Sequence, residues 1–200
     1  MQQSPESRIT TLAQRLGVVR PRDVEAAGIP REYLLRLMRR GVLERSGRGL
    51  YRLADAPVTE HHSLAEVGKR LPHATVCLLS ALVFHQITTQ NPAEVWIALP
   101  PGSRTPRANG QRLRVVRFTG PALTEGRQEH RIEGVPVGIY SPAKTVADCF
   151  KFRNKIGLDV AIEALRECLR QRKATIREIH RFAKICRVAR VMQPYLESLP

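Results

Sequence analysis

The sequence predicts an α+β protein, with an N-terminal winged helix-turn-helix followed by a mixed domain holding a small β-sheet and a helical C-terminal portion. Three observations carry this expectation. The first 41 residues hold three short stretches of helical apolar spacing, each ended by a glycine. The period then changes to alternation around a glycine-rich turn. Beyond a proline-containing linker, strand-like runs give way at Ser141 to a helical pattern that continues to the end. The order of the elements is the argument, since each alone is weak evidence.

Ser4 caps the first helix with Pro5 in its opening position, and Ile9, Leu12, Ala13 and Leu16 recur at i, i+3, i+4 and i+7 until Gly17 stops it. A second helix starts at Pro21, turns Val24 and Ala27 inward and ends at Gly28, which suits a left-handed cap. Pro30 opens a third, in which Leu34, Leu35 and Met38 share an apolar face and Gly41 closes the helix. Val42 and Leu43 begin a strand, Ser46-Gly47-Arg48-Gly49 is turn chemistry, and Leu50-Tyr51-Arg52-Leu53 returns as the partner strand.

Residues 55–59, with Pro57, read as a linker, so domains over 1–55 and 60–200 are expected. Helices follow through His62 to Arg70 and around Leu78 to Phe84. The longest apolar stretch, Ala74 to Ile87, contains Ser80 and His85 and reads as a buried helix. Glu94 to Leu99 is a strand, followed by a Pro/Gly/Arg loop from Pro100 to Gly110. Leu113 to Phe118 and Ile132 to Tyr140 supply more strand-like residues, with turns at Gly120 and Gly134. Ser141-Pro142 is an N-cap pair, and Thr175 with Glu178 forms a capping box.

Composition narrows the function classes. The 200 residues carry 33 Lys+Arg against 18 Asp+Glu, a formal net charge of +15, and 42% are hydrophobic. A chain that can bury a core and is this basic fits a polyanionic partner, because each neutralised phosphate releases counterions. Arginine dominates the bias, and its fork suits phosphates and guanine edges. No run approaches the roughly 20 apolar residues of a membrane span, and the start lacks the features of a signal peptide, so the cytoplasm is the default compartment. Cys77, Cys149, Cys168 and Cys186 never form a C-x-x-C knuckle and read as reduced core thiols.

The candidate DNA contacts lie on the third helix and the hairpin. Arg36 falls almost opposite the expected apolar face, flanked by Glu32, Tyr33, Arg39 and Arg40, as a recognition helix requires. Arg36 is the first choice for a base edge. Tyr33 suits a thymine methyl or a phosphate, and Arg39 and Arg40 suit the backbone. Arg31 projects nearer the apolar side, yet its first-turn position leaves a phosphate within reach. In the wing, Arg45 and Arg48 surround a flexible turn suited to the minor groove or the backbone. Arg104, Arg107, Arg112, Arg114 and Arg117, and the series Arg170, Arg172, Lys173, Arg177, Arg181, Lys184 and Arg187, make the second domain basic too. That surface suits an extended DNA footprint, an acidic partner, structured RNA or plain solvation.

Chemistry-bearing patterns are sparse. The histidines have no metal-ligating spacing, Ser80 sits in no nucleophile elbow, and Gly102-Ser103-Arg104 lacks paired carboxylates. No enzyme, metal or cofactor is expected.

The segment Leu12 to Leu53, with Gly28-Ile29-Pro30, Arg39-Arg40-Gly41-Val42-Leu43 and Gly49-Leu50-Tyr51, resembles the winged-helix domain of AbiEi-family antitoxins, regulators connected with viral defence. Leu78-Leu79-Ser80-Ala81-Leu82, Glu94-Val95-Trp96-Ile97-Ala98 and the more specific run from Ser141 to Phe150 resemble the C-terminal domain of that family. The resemblance implies a type IV toxin-antitoxin system and a role in phage defence by abortive infection. The winged helix would bind double-stranded promoter DNA with repeats and repress its own operon. The C-terminal domain would counter a nucleotidyltransferase-like toxin without a stable complex. A monomer or weak dimer is expected. Capping and packing account for most of the Ser141 to Phe150 run, which leaves Lys144 and Asp148 as the antitoxin-domain candidates. A solo regulator without a toxin and an RNA-binding module stay open, the latter with only 5% aromatic residues for stacking.

Overall fold

The computed structural model describes residues 4–105 and 112–198. Arg107 and Gly110 lie outside the described residues. The N-terminal order is α1 (Pro5–Leu16), α2 (Pro21–Ala26), α3 (Glu32–Arg39), β1 (Leu43–Gly47), β2 (Leu50–Leu53) and α4 (His62–Arg70). The Ser7 amide donates to Ser4 Oγ at 3.2 Å, which caps α1 as the sequence requires. The strands pair antiparallel, Leu43 opposite Leu53 and Arg45 opposite Tyr51, with an irregularity between Arg45 and Gly47. A contact not expected from the sequence joins Val19 to Tyr51 through two backbone hydrogen bonds of 2.8 and 2.9 Å, extending the wing by a third short segment.

The apolar stripe of α3 differs from the expected one. Leu34 and Leu37 are each 2% exposed and pack with Ile9, Leu12, Ala13 and Val24, whereas Leu35 is 48% exposed and Met38 is half-buried. Leu34 and Leu37 stand three residues apart, so the helix turns that pair toward α1 and carries Leu35 outward.

Two compact units divide the chain, and the first takes in residues through Pro72 together with His130–Val137. The division expected around the Pro57 linker, 1–55 and 60–200, therefore differs, because α4 and a later turn lie with the winged helix. Polar contacts explain this. The Thr59 amide and hydroxyl donate to Glu133 Oε1 at 2.8 and 2.9 Å, and His62 Nδ1 lies 2.7 Å from Glu133 Oε2. Arg20 donates to the Lys69 carbonyl at 2.6 Å, and Lys69 pairs with Asp23 at 3.0 Å.

From residue 73 the order is β3 (Thr75–Val76), α5 (Leu78–Phe84), β4 (Val95–Leu99), β5 (Leu113–Arg117), α6 (Pro121–Thr124), β6 (Arg127–Ile132) and β7 (Val135–Tyr140), then α7 (Pro142–Lys151), α8 (Arg153–Ile156), α9 (Leu158–Arg170), α10 (Ile176–Ile185) and α11 (Ala189–Glu197). The sheet order is β5-β4-β3-β7-β6, with β3 antiparallel to β4 and parallel to β7, and β4 parallel to β5. The apolar run from Ala74 to Ile87 is thus a two-residue strand followed by a short helix rather than one buried helix. Apolar content alone does not separate these, and pairing on both sides holds Thr75 and Val76 extended. β6, absent from the sequence expectations, is a polar strand at the sheet edge, where alternation is not required.

α7 is the centre of the second unit, with every residue from Ala143 to Phe150 buried, and it packs against α5, α9 and α10. The surrounding core includes Phe118, Tyr140, Leu165 and Phe182. All four cysteines are buried and free of disulfides.

Candidate nucleic-acid interface

α3 presents Glu32, Leu35, Arg36 and Arg39 outward, with Arg31 exposed at its N-cap and Arg40 exposed just beyond its end. Arg31, placed nearer the apolar side by the expected stripe, is outward because the stripe itself is rotated. The Arg36 guanidinium stands over the Tyr33 ring, 4.8 Å from its centroid, and lies 3.9 Å from the Glu6 carboxylate on α1. Arg40 donates to the same carboxylate at 2.5 Å. Glu6 therefore holds two guanidiniums at once, and Tyr33 supports Arg36 from below. Tyr33 is half-buried against the N-terminal core, with Arg36 over its ring.

In the wing, Arg45 donates to the Gly47 carbonyl at 3.2 Å, and Arg48 is exposed at the turn. Gly49 has φ +71, where an L side chain is strained. A Cβ at Gly47 would stand 2.6 Å from the Arg70 guanidinium and 2.7 Å from the Glu66 carboxylate, so this glycine lets the wing lie against α4. Arg52 is held by Glu44 across the hairpin and by the Ala56 carbonyl at 2.9 Å, and it serves the hairpin itself. Burial pushes Asp23 toward its acid form, but hydrogen bonds from Arg20 and the Lys69 charge outweigh this and hold its carboxyl below the usual range.

In the second unit, Lys144 and Asp148 lie one helical turn apart and are fully buried. Lys144 Nζ donates to both Asp148 oxygens at 2.6 Å and stands 4.0 Å from the Tyr140 ring centroid and 4.6 Å from that of Phe118. Cys186 donates to Asp148 Oδ1 at 3.2 Å. Burial raises the Asp148 carboxyl, against the stabilising Lys144 charge, and pushes the Cys186 thiol up to about 12. This placement removes both candidates from the surface. Among the described residues no group of three His, Cys, Asp or Glu could hold a metal ion.

The basic residues of the second unit divide by role. Arg117 staples a loop, donating to the Pro100 and Ser103 carbonyls at 3.1 and 2.8 Å. Arg114 is exposed and stacks over Trp96. Arg177, Arg181 and Lys184 lie on the exposed face of α10 opposite Ile179, Phe182 and Ala183, and Arg181 pairs with Glu125 at 2.6 Å. Arg104, Arg112, Arg170, Arg172, Lys173 and Arg187 are exposed as well.

Residues 7–54 match the model of a family described as a transcriptional regulator, AbiEi antitoxin. The match is confined to that segment, about a quarter of the chain. It spans most of α1, all of α2 and α3, and both wing strands. The crystal structure of the RV2827C protein from Mycobacterium tuberculosis is similar with a TM-score of 0.58 at 16% identity, covering 92% of this chain and 72% of that one, a likeness of fold. No curated protein matches the chain. Among the described residues, no helix is long and apolar enough to cross a membrane.

The local sequence pattern singled out neither Glu6, which lies just before the matched segment, nor Leu35 within it. Glu6 meets Arg36 and Arg40 only after α1 and α3 pack, and nothing in local spacing announces that. Leu35 had a signal, since Leu37 at i+3 from Leu34 competes with it for the buried stripe.

Proposed function

We propose that the protein is a sequence-reading, double-stranded-DNA-binding regulator that represses the promoter of its own operon. The supporting observation is the outer face of α3, where Arg36 is exposed yet stacked on Tyr33 and paired with Glu6. A guanidinium held in this way loses little freedom on forming a bidentate contact with guanine O6 and N7. Arg31, Arg39 and Arg40 supply backbone contacts around it, and Arg45 and Arg48 extend them from the wing. Repeats in a promoter would seat one copy each, as a monomer or weak dimer.

The reading extends to antitoxin action of type IV against a nucleotidyltransferase-like toxin, with phage defence as the setting. Its support is the family description matched by residues 7–54. The outer surface of the second unit, and not the buried Lys144–Asp148 pair, would carry it.

Binding to the protein's own upstream promoter and to a scrambled duplex of equal length, at near-physiological salt, tests the regulator. Wild type is expected to prefer the promoter and Arg36→Ala to lose that preference; equal weak binding to both duplexes by wild type overturns the reading. Growth rescue on co-expression with an adjacent nucleotidyltransferase-like gene tests the antitoxin half. Failure of rescue, or the absence of such a gene, leaves a solo regulator.

A further inference from the structure

We infer that Leu35 is a specificity-determining contact of the same interface, taking the 5-methyl group of a thymine in the major groove. This rests on the DNA-reading proposal above. Leu35 is 48% exposed on α3, while its neighbours Leu34 and Leu37 are 2% exposed. Arg31 and Arg39 stand one turn before and after it, Glu32 lies three residues back and Arg36 follows directly, all exposed. A large apolar side chain is thus set among the guanidiniums of Arg31, Arg36 and Arg39 on the outward face of α3.

Such a residue adds nothing to phosphate attraction, and its exposure gives no folding benefit. A duplex offers one apolar partner between phosphate rows that the arginines would neutralise, the thymine methyl in the major groove. Tyr33, the other apolar candidate on this helix, is occupied beneath Arg36 with its ring half-buried. A second copy of the chain fits this face poorly, because pairing α3 with itself would set Arg31, Arg36 and Arg39 against their like.

The test replaces each thymine of the protein's own promoter duplex in turn by deoxyuridine, which removes only the methyl. Wild type and Leu35→Ala are compared, with helicity measured to confirm that the exposed substitution leaves the fold intact. Wild type is expected to weaken about fourfold at one thymine per half-site, the worth of burying one methyl group. Leu35→Ala is expected to be indifferent at that thymine and to bind the scrambled duplex as wild type does. Wild type indifferent to every replacement, or equal losses for both proteins at every position, overturns the role of Leu35 while promoter preference stands. Loss of promoter preference in wild type on unmodified DNA overturns the regulator reading and this inference with it.

Discussion

Arg36 is held in place by the Tyr33 ring and the Glu6 carboxylate, a placement that suits the DNA contact proposed for it. Arg36→Ala should cost about 1–3 kcal/mol on the preferred sequence and relax discrimination, measured by titrations on promoter and random duplexes. Glu6→Gln should act in the opposite sense on random DNA. Freed of the carboxylate, Arg36 and Arg40 attract any phosphate more strongly, so random-sequence affinity should rise a few-fold and the promoter-to-random ratio should fall; an unchanged ratio contradicts this role. In the second unit, Lys144→Ala leaves Asp148 buried without its partner and should cost about 3–5 kcal/mol in denaturant unfolding. Joint replacement by Met and Leu should cost much less, because both desolvated charges go together. The i, i+4 spacing of Lys144 and Asp148 is legible in the sequence as a pair. Their burial is not, since only the packing of α5, α9 and α10 around α7 encloses it.

The turn between β6 and β7 shows how elements hold one another in the first unit. Gly17 has φ +67, and a Cβ there would stand 1.4 Å from the Glu133 carbonyl oxygen. Gly17→Ala should therefore destabilise by about 3 kcal/mol, a severe overpacking at a left-handed position, with thermal unfolding as the check. Burial raises the carboxyl of Glu133, but hydrogen bonds from Thr59 and the His62 contact outweigh it and hold it below its ordinary value of 4.5. The folded state thus binds this proton less readily than the unfolded one. Its stabilising contribution is present above that ordinary value and is lost as pH falls through the lower folded value. Glu133→Gln should flatten the acid limb of the stability profile, and an unchanged limb would show that other carboxylates set it. The helices and wing strands of this unit are legible because caps, glycines and a change of period mark them. The Val19–Tyr51 pairing and the Glu133 contacts join residues far apart in the chain, so no local signal carries them.

At the scale of the whole molecule, the net charge of +15 sets a sequence-independent attraction to nucleic acid that salt weakens. Arg48→Ala should reduce the slope of log affinity against log salt by about 1 and weaken all duplexes alike, leaving promoter preference intact. An altered preference at unchanged slope would move Arg48 from a backbone to a base contact. By itself, the sequence determined the fold class, the succession of three helices and a wing, the capped starts of α1, α7 and α10, and the basic character of the chain. These follow from periodicity, backbone preference and charge, which each residue carries wherever it goes. Tertiary structure alone decided that Leu37 rather than Leu35 is buried, that Glu6 holds Arg36 and Arg40, and that Lys144 and Asp148 lie in the core. It also decided that Thr75 and Val76 are strand and not helix. Each of these depends on which distant surface arrives to cover a residue, and burial is a property of that meeting.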